Sequence, residues 1–130
     1  MELTGWVEPD QVAWRGIRWA RRGNLLVKYA EIINGAYLMY TVPADRTFYL
    51  VGSVLCPTTF ANGVGRGWIR DDSDYIWFSL GFCDADDARG SSNIAFQPSA
   101  PLEVPAGYDF VVYSDRAGYT ASLSFYGWEE

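Results

Sequence analysis

The stretch Thr41-Val-Pro-Ala-Asp-Arg-Thr-Phe-Tyr-Leu-Val51 decides the fold, and a near copy, Glu103-Val-Pro-Ala-Gly-Tyr-Asp-Phe-Val-Val112, follows 62 positions later. Each copy combines the end of one strand, a Val-Pro-Ala turn and an apolar strand that leaves the turn. Proline presets φ at the second position of such a turn, and Gly107 is a favoured fourth residue, for which Asp45 substitutes in the first copy. Two such corners in one short chain predict a β-sandwich with two related halves.

Composition supports a single all-β domain. The chain has 130 residues, enough for one hydrophobic core, and 17% of them are aromatic while 13 are glycine. This balance favours strands and turns over helices. Cys56 and Cys83 are too few for a disulfide framework, so we interpret them as buried small apolar side chains, with a bridge between them as the alternative.

Charge is distributed unevenly along the chain. The net charge of −6 argues against general nucleic-acid binding. Residues 1–28 hold five basic and three acidic groups, a balance of +2, which leaves −8 for the rest of the chain. We therefore expect a basic N-terminal arm that docks on the acidic surface of a neighbouring copy, with a solvated, arginine-rich terminus as the alternative.

The arm comprises residues 1–24. Pro9 favours a helix start, although Gly16 weakens a helix by about 1 kcal/mol relative to Ala, so we expect a short helix over 11–22 or irregular structure. Three of the six tryptophans lie in this segment, which predicts packing on the body or on another subunit. The interface residues predicted in the arm are Trp6, Trp14, Arg15, Arg18, Trp19, Arg21 and Arg22.

No segment predicts secretion or a membrane span. The residues after Met1 lack the basic start and the apolar core of a signal peptide. No apolar run approaches the ~20 residues that a membrane helix needs. We therefore expect synthesis in the cytoplasm and no membrane partner.

From Leu25 onward, period-two alternation and turn residues predict a jelly-roll or Greek-key β-sandwich of about eight strands over residues 25–130. Asn34-Gly35 predicts a hairpin between the first two strands, and 115–118 a second between the last two. The predicted strands cover 25–33, 36–42, 47–56, 65–70, 75–83, 93–97, 102–104, 109–114 and 119–128.

Two of these strands carry a specific prediction about their faces. In strand 75–83, Ile76, Phe78, Leu80 and Phe82 should share one face. In strand 47–56, apolar residues occupy both faces, with Val54 and Cys56 on the face of Phe48 and Leu50, and Leu55 on the other. A strand of this kind should be covered on both sides, by the second sheet and by the arm or a partner.

The sequence gives little support for a catalytic site or a metal site. The chain has no histidine, which excludes Ser-His-Asp and Cys-His arrangements and histidine-bearing metal sites. The acidic runs 71–74 and 84–87 offer oxygen ligands for Ca²⁺, but they flank one strand about 30 Å apart and match no calcium-loop pattern. We interpret them as ordinary turns, with a weak Ca²⁺ site in one loop as the alternative, and predict no catalytic residue, metal or cofactor.

Aromatic residues on the strands predict contacts. Tyr49, Trp77 and Tyr126 should face outward and meet neighbouring subunits, whereas Trp68 and Trp77 could stack on a sugar, together with the loop 57–64. The apolar arm, the outward aromatics and the acidic body together indicate a subunit of a larger assembly.

The segments 40–50 and 101–110, together with Tyr126-Gly-Trp-Glu129, resemble small jelly-roll virion proteins of tailed bacteriophages. The resemblance covers residues 36–130, rests on turn motifs, and departs from the family at Asp45, where Gly is usual. It implies a head decoration (cement) or tail-associated protein that is commonly a homotrimer, resides in the virion and contacts the major capsid protein or other virion proteins.

The resulting expectation is a non-enzymatic virion structural protein. It would be a capsid decoration or cementing subunit that acts through trimerisation and through arm contacts to neighbouring subunits. The alternative is a receptor- or carbohydrate-binding module of a phage tail or fibre.

Overall fold

The computed structural model describes the backbone of residues 11–14, 17–20, 24–58, 62–86 and 90–130, and the side chains of residues 24–58, 62–86 and 92–130. These ranges contain a two-stranded sheet and two five-stranded sheets. The strands are β1 (Gln11–Trp14), β2 (Ile17–Ala20), β3 (Asn24–Ile33), β4 (Gly35–Thr41), β5 (Phe48–Pro57), β6 (Gly63–Arg70), β7 (Ile76–Asp86), β8 (Gly90–Ser92), β9 (Ile94–Phe96), β10 (Leu102–Val104), β11 (Asp109–Ser114) and β12 (Thr120–Glu129). Within the same ranges, no helix is long and apolar enough to span a bilayer.

The arm contains an antiparallel hairpin of β1 and β2. Val12 pairs with Trp19, and Trp14 pairs with Ile17, so the short helix predicted over these residues is wrong. The four apolar residues alternate with the strand period of two, which fits a hairpin better than a helix. Outside the described residues lie Trp6, Arg15, Arg21 and Arg22, together with the side chains of Trp14, Arg18 and Trp19.

The two large sheets have the pairing of a jelly roll. The first sheet has the order β10-β5-β12-β3, with β9 also paired to β5, and the second has the order β4-β11-β6-β7-β8. The main strands pair first with last: β3 with β12, β4 with β11, β5 with β9 and β10, and β6 with β7. This nested pairing is that of an antiparallel ribbon wrapped into a sandwich, so the predicted fold class is confirmed.

Both predicted hairpins are corners between the sheets. Asn34 and Gly35 do reverse the chain, with φ of 59° and 117°, yet β3 pairs with β12 and β4 with β11. The turn at 115–118 likewise joins β11 of the second sheet to β12 of the first. The predicted pairings are wrong because a turn sequence specifies the reversal of the chain and leaves the partner of each strand open.

The two Val-Pro-Ala corners meet at one rim of the sandwich. The Val42 N–H donates to the Tyr108 carbonyl at 2.9 Å, and the Gly107 N–H donates to the Val42 carbonyl at 2.8 Å. The first corner carries the chain from β4 to β5, and the second carries it from β10 to β11. Both corners therefore connect the sheets, and each holds the other in place.

Each of these turns begins one residue later than predicted. The Arg46 N–H donates to the Pro43 carbonyl at 3.0 Å, and the Tyr108 N–H donates to the Pro105 carbonyl at 3.3 Å. Proline is thus the first turn residue and Gly107 the third. The φ of Gly107 is 83°, a value that favours glycine at this position.

A cluster of aromatic rings joins the sheets. Phe110 of the second sheet stacks on Phe125 of the first with ring centroids 4.1 Å apart. Phe48 meets both rings edge-on, at 5.5 Å and 5.7 Å. Tyr40 completes the cluster, and its O–H donates to the Glu129 carboxylate at 2.6 Å. Burial, followed by this hydrogen bond, raises the pKa of Tyr40 above its ordinary value.

Strand β6 lets the second sheet approach β12 closely. Its buried positions are Gly63, Gly65, Gly67 and Ile69, so three of the four are glycine. A Cβ at Gly65 would lie only 2.7 Å from the Ala121 side chain. Glycine in a strand often marks such close approach.

A β-bulge in β7 changes which residues face the core. Gly67 pairs with Gly81 but Trp68 pairs with Ser79, so Leu80 is an extra residue on this strand. Beyond the bulge Cys83 is buried, whereas Phe82 is 56% exposed. The prediction that Phe82 shares the face of Leu80 is therefore wrong.

A second bulge acts in the same way on β5. Gly52 pairs with Tyr126 and Leu50 with Gly127, which leaves Val51 without a partner on β12. Leu55 joins the core, while Val54 is 42% exposed. Apolar residues do occupy both faces, as predicted, but the assignment of residues 54–56 is wrong because the bulge shifts the alternation by one.

Two phenylalanine substitutions test the bulge in β7. Phe110→Ala should lower the free energy of unfolding by about 3–5 kcal/mol, because it removes a fully buried ring between the sheets. Phe82→Ala should lower the free energy of unfolding by less than about 1.5 kcal/mol, because this ring is exposed and packs on the Arg66 guanidinium at the protein surface. Urea unfolding measures both values, and equal losses would contradict the position of the bulge.

Candidate assembly surface

The outer face of the first sheet carries rows of apolar side chains across β3, β12 and β5. One row consists of Leu25, Trp128 and Tyr49, and the next consists of Val27, Tyr126 and Gly52. A third row places Ser124 between two larger neighbours, one on each flanking strand. This surface is termed the outer apolar face, and its exposed large members are Leu25, Val27, Tyr29, Ile33, Val54 and Tyr126.

Strand β3 is apolar on both of its faces. Leu26, Ala30 and Ile32 pack against the core, whereas Leu25, Val27, Tyr29 and Ile33 are exposed on the opposite face. Val27 is 72% exposed and Tyr29 is 61% exposed. Single exposed apolar residues are ordinary, but several in adjacent rows indicate a surface that another molecule covers.

The middle strand, β12, is the least exposed part of this face. Its outward residues Thr120, Ser122 and Ser124 are small, and the first two are buried. Tyr29 on β3 and Val54 on β5 stand on either side of Ser124. Most of the exposed apolar side chains of this face therefore belong to β3.

The indole of Trp128 lies on the same face, near the end of β12. Its ring stacks on Tyr49 with centroids 5.1 Å apart and planes 13° apart, and Val51 packs beside it. Trp128 is 3% exposed, yet its Nε1 has no hydrogen-bond partner within the described part of the chain. Buried donors are nearly always bonded, so this N–H is an exception to the usual pairing.

The charges on the outer apolar face are acidic. Glu31 follows Tyr29 along β3, and Glu103 is the register partner of Tyr49. The hydrogen bond to Glu31 raises the pKa of Tyr29. Burial, then Glu103 and Glu130, raises the pKa of Tyr49. A basic partner would therefore be favoured here.

The structure separates the predicted contact residues into two groups. Tyr49 and Tyr126 belong to the outer apolar face. Trp77 lies on the second sheet, where it is 40% exposed and meets Tyr108 edge-on at 5.1 Å. Trp68 is also on the second sheet, beside Tyr113. The two tryptophans considered for sugar stacking thus lie away from the outer apolar face.

Sequence reasoning missed the contribution of β3. Leu25, Val27, Tyr29 and Ile33 are the most continuous part of the face, and none of them was among the predicted contact residues. The sequence signal is the presence of apolar residues at both odd and even positions of residues 25–33. Two apolar faces were predicted only for the strand that corresponds to β5.

The first acidic run serves the local fold. The Asp71 carboxylate accepts the N–H groups of Ser73 and Tyr75 at 2.9 Å and 3.0 Å. Arg70 forms ion pairs with Asp74 at 3.4 Å and with Asp109 at 2.9 Å. Across the residues that the structure describes, no group of three His, Cys, Asp or Glu side chains could hold a metal ion.

The two cysteines are free. Cys83 lies in the core, where burial raises the pKa of its thiol and the Tyr119 hydroxyl lies 3.3 Å from its sulfur. Cys56 lies on β5, 3.2 Å from the Ser122 hydroxyl. The interpretation as a buried side chain therefore holds for Cys83, whereas Cys56 is only half-buried.

No family model matches the sequence, and a search of curated proteins finds no match. Among solved structures, the fold is similar to that of a chain in the acidic stable capsid structure of Helicobacter pylori bacteriophage KHP30. The TM-score is 0.50 and the sequence identity 14%, over 82% of this chain and 92% of that chain. At this identity the similarity shows a shared β-sandwich fold.

The ionisation of Tyr29 tests the geometry of this face. Glu31→Gln should lower the pKa of Tyr29 toward its ordinary value, because an amide accepts the phenol hydrogen bond without repelling the phenolate. NMR titration of the tyrosine ring carbons measures the shift, and Tyr29→Phe identifies the signal. A pKa that stays raised in Glu31→Gln would contradict the contact between the two side chains.

Proposed function

We propose that this protein is a non-enzymatic structural subunit of a phage virion, a decoration or cementing subunit of the capsid. The observation that carries the proposal is the outer apolar face, because a free monomer would leave adjacent apolar rows in water. The fold similarity to a chain of a phage capsid supports a place in the virion. The resemblance of the Val-Pro-Ala corners to virion jelly rolls points to the same class.

Assembly would proceed by burial of this face between subunits. Each Å² of apolar surface removed from water contributes roughly 25 cal/mol. A specific interface usually buries about 1,600 Å² in total. In the proposed homotrimer, Tyr49 and Tyr126 contact neighbouring copies, and the trimer binds the major capsid protein or another virion protein.

The arm supplies a second set of contacts between subunits in the proposed assembly. Its arginines have the opposite charge to Glu31 and Glu103 on the outer apolar face. Such complementarity sets the orientation and the rate of association more than its strength. The apolar residues of the arm would then provide the affinity.

A receptor- or carbohydrate-binding module is the alternative, and one feature of the second sheet favours it. The Arg66 guanidinium lies 4.7 Å from the centre of the Phe82 ring and 5.6 Å from that of Trp68. Tyr113 is the neighbour of both Arg66 and Trp68. Under this alternative, Trp68→Ala would abolish binding to bacterial surface polysaccharide.

The exposed position of Val27 tests the assembly proposal. Val27→Glu should weaken binding to capsid shells prepared without this protein by more than about tenfold, because a carboxylate would be buried without a partner. Co-sedimentation with the shells measures the occupancy. The stability of the subunit itself should change by less than about 0.5 kcal/mol, because this side chain is exposed in the single chain.

Tyr75→Glu is the matched control. Tyr75 is 73% exposed, close to the 72% of Val27, and it lies outside the outer apolar face. This variant should bind the shells like the unmodified protein. Undiminished binding of Val27→Glu would contradict a role of the outer apolar face in assembly.

A further inference from the structure

We propose that the outer apolar face receives the β1–β2 hairpin of a second copy of this chain. This inference rests on the proposed function, because it names the partner that covers the same surface. It commits to one occupant, residues 11–20 of a neighbouring subunit.

The hairpin has an apolar face that needs a cover. Val12 is the register partner of Trp19, and Trp14 is the register partner of Ile17. Partners across antiparallel strands occupy the same face, so these four positions form one apolar face of the hairpin. Within the described residues, the hairpin joins neither of the large sheets. An isolated two-stranded hairpin is marginally stable in water, so it gains stability by packing against another surface.

The outer apolar face matches the hairpin in apolar character and in charge. Val27 and Tyr29 offer exposed apolar area to the four apolar positions of the hairpin. Glu31 and Glu103 are acidic, whereas residues 11–22 contain Arg15, Arg18, Arg21 and Arg22 and no acidic residue.

The contact uses the face of the sheet, and the free edge of β3 is protected. Lys28 lies among core-facing residues of this edge strand, with its amine 5.7 Å from the centre of the Tyr40 ring. An inward charge on an edge strand opposes pairing with a further strand, because the added strand would bury that charge. A strand added at this edge is therefore disfavoured relative to packing on the face.

The proposed occupant comes from another molecule. Val27 and Tyr29 are 72% and 61% exposed in the single chain, so both side chains are open to contact from a neighbour. An exchange of hairpins between copies gives every subunit one donated and one received contact, which is the closed, head-to-tail arrangement of a cyclic oligomer.

Photo-crosslinking of the full-length chain tests the exchange. A photoreactive phenylalanine analogue replaces Tyr29, and illumination should join two chains into a product of twice the 14.6 kDa chain mass on a denaturing gel. Mass spectrometry should map the bond to residues 11–20. The same analogue at Tyr75, which is 73% exposed elsewhere on the surface, should give no bond to residues 11–20.

Every other outcome overturns the inference. Bonds within one chain would place the hairpin on its own body, and bonds to residues 24–130 of the other chain would indicate direct packing of two bodies. Absence of any bond would leave the face without this occupant. Trp19→Ala combined with the probe should remove most of the double-mass product, and an unchanged yield would also contradict the contact.

Capsid binding separates this inference from the proposed function. If the unmodified protein binds the shells but the probe maps elsewhere, the hairpin exchange is wrong and the virion role stands. If the protein does not bind the shells, the virion role fails, whatever the crosslinks show.

Discussion

The stack of Phe110 on Phe125, 4.1 Å apart, joins the two sheets of this sandwich, and the rest of the structure depends on that contact. Each ring follows from a local feature: Phe110 comes directly after the second Val-Pro-Ala corner, and Phe125 lies in the middle of β12. The hydrogen bonds between the two corners hold the rim next to these rings. One face of each sheet packs in this core. The opposite face of the first sheet carries the apolar residues of β3 and β5 that do not point into the core.

Much of the fold could be predicted from the sequence, because turn chemistry and strand alternation are local. The Val-Pro-Ala corners, the Asn34-Gly35 reversal and the strand spacing gave the fold class and nearly all the strands of the body. Long-range pairing could not be derived in this way. The strand β3 forms its hydrogen bonds with β12 at the far end of the chain, and no local pattern in residues 25–33 specifies that partner.

The candidate surface was predictable only in part, and the bulges explain why. An extra residue at Val51 or Leu80 reverses the alternation beyond it, so Val54 and Phe82 turn outward. Neither bulge has a clear marker in the sequence apart from Gly52 and Gly81 beside them. Tyr49 was correctly placed outward because it precedes the bulge in β5, and Tyr126 because the extra residue lies on β5 and not on β12. In the arm, period-two alternation was outweighed by a proline that suggested a helix start.

The protein combines a closed core with an uncovered apolar face. Our central claim is that other copies of the chain cover that face. The mass of the full-length protein in solution, measured by native mass spectrometry at micromolar concentration, tests this claim most directly. The account predicts a complex of three times the 14.6 kDa chain mass. A stable monomer of 14.6 kDa at every concentration would contradict it.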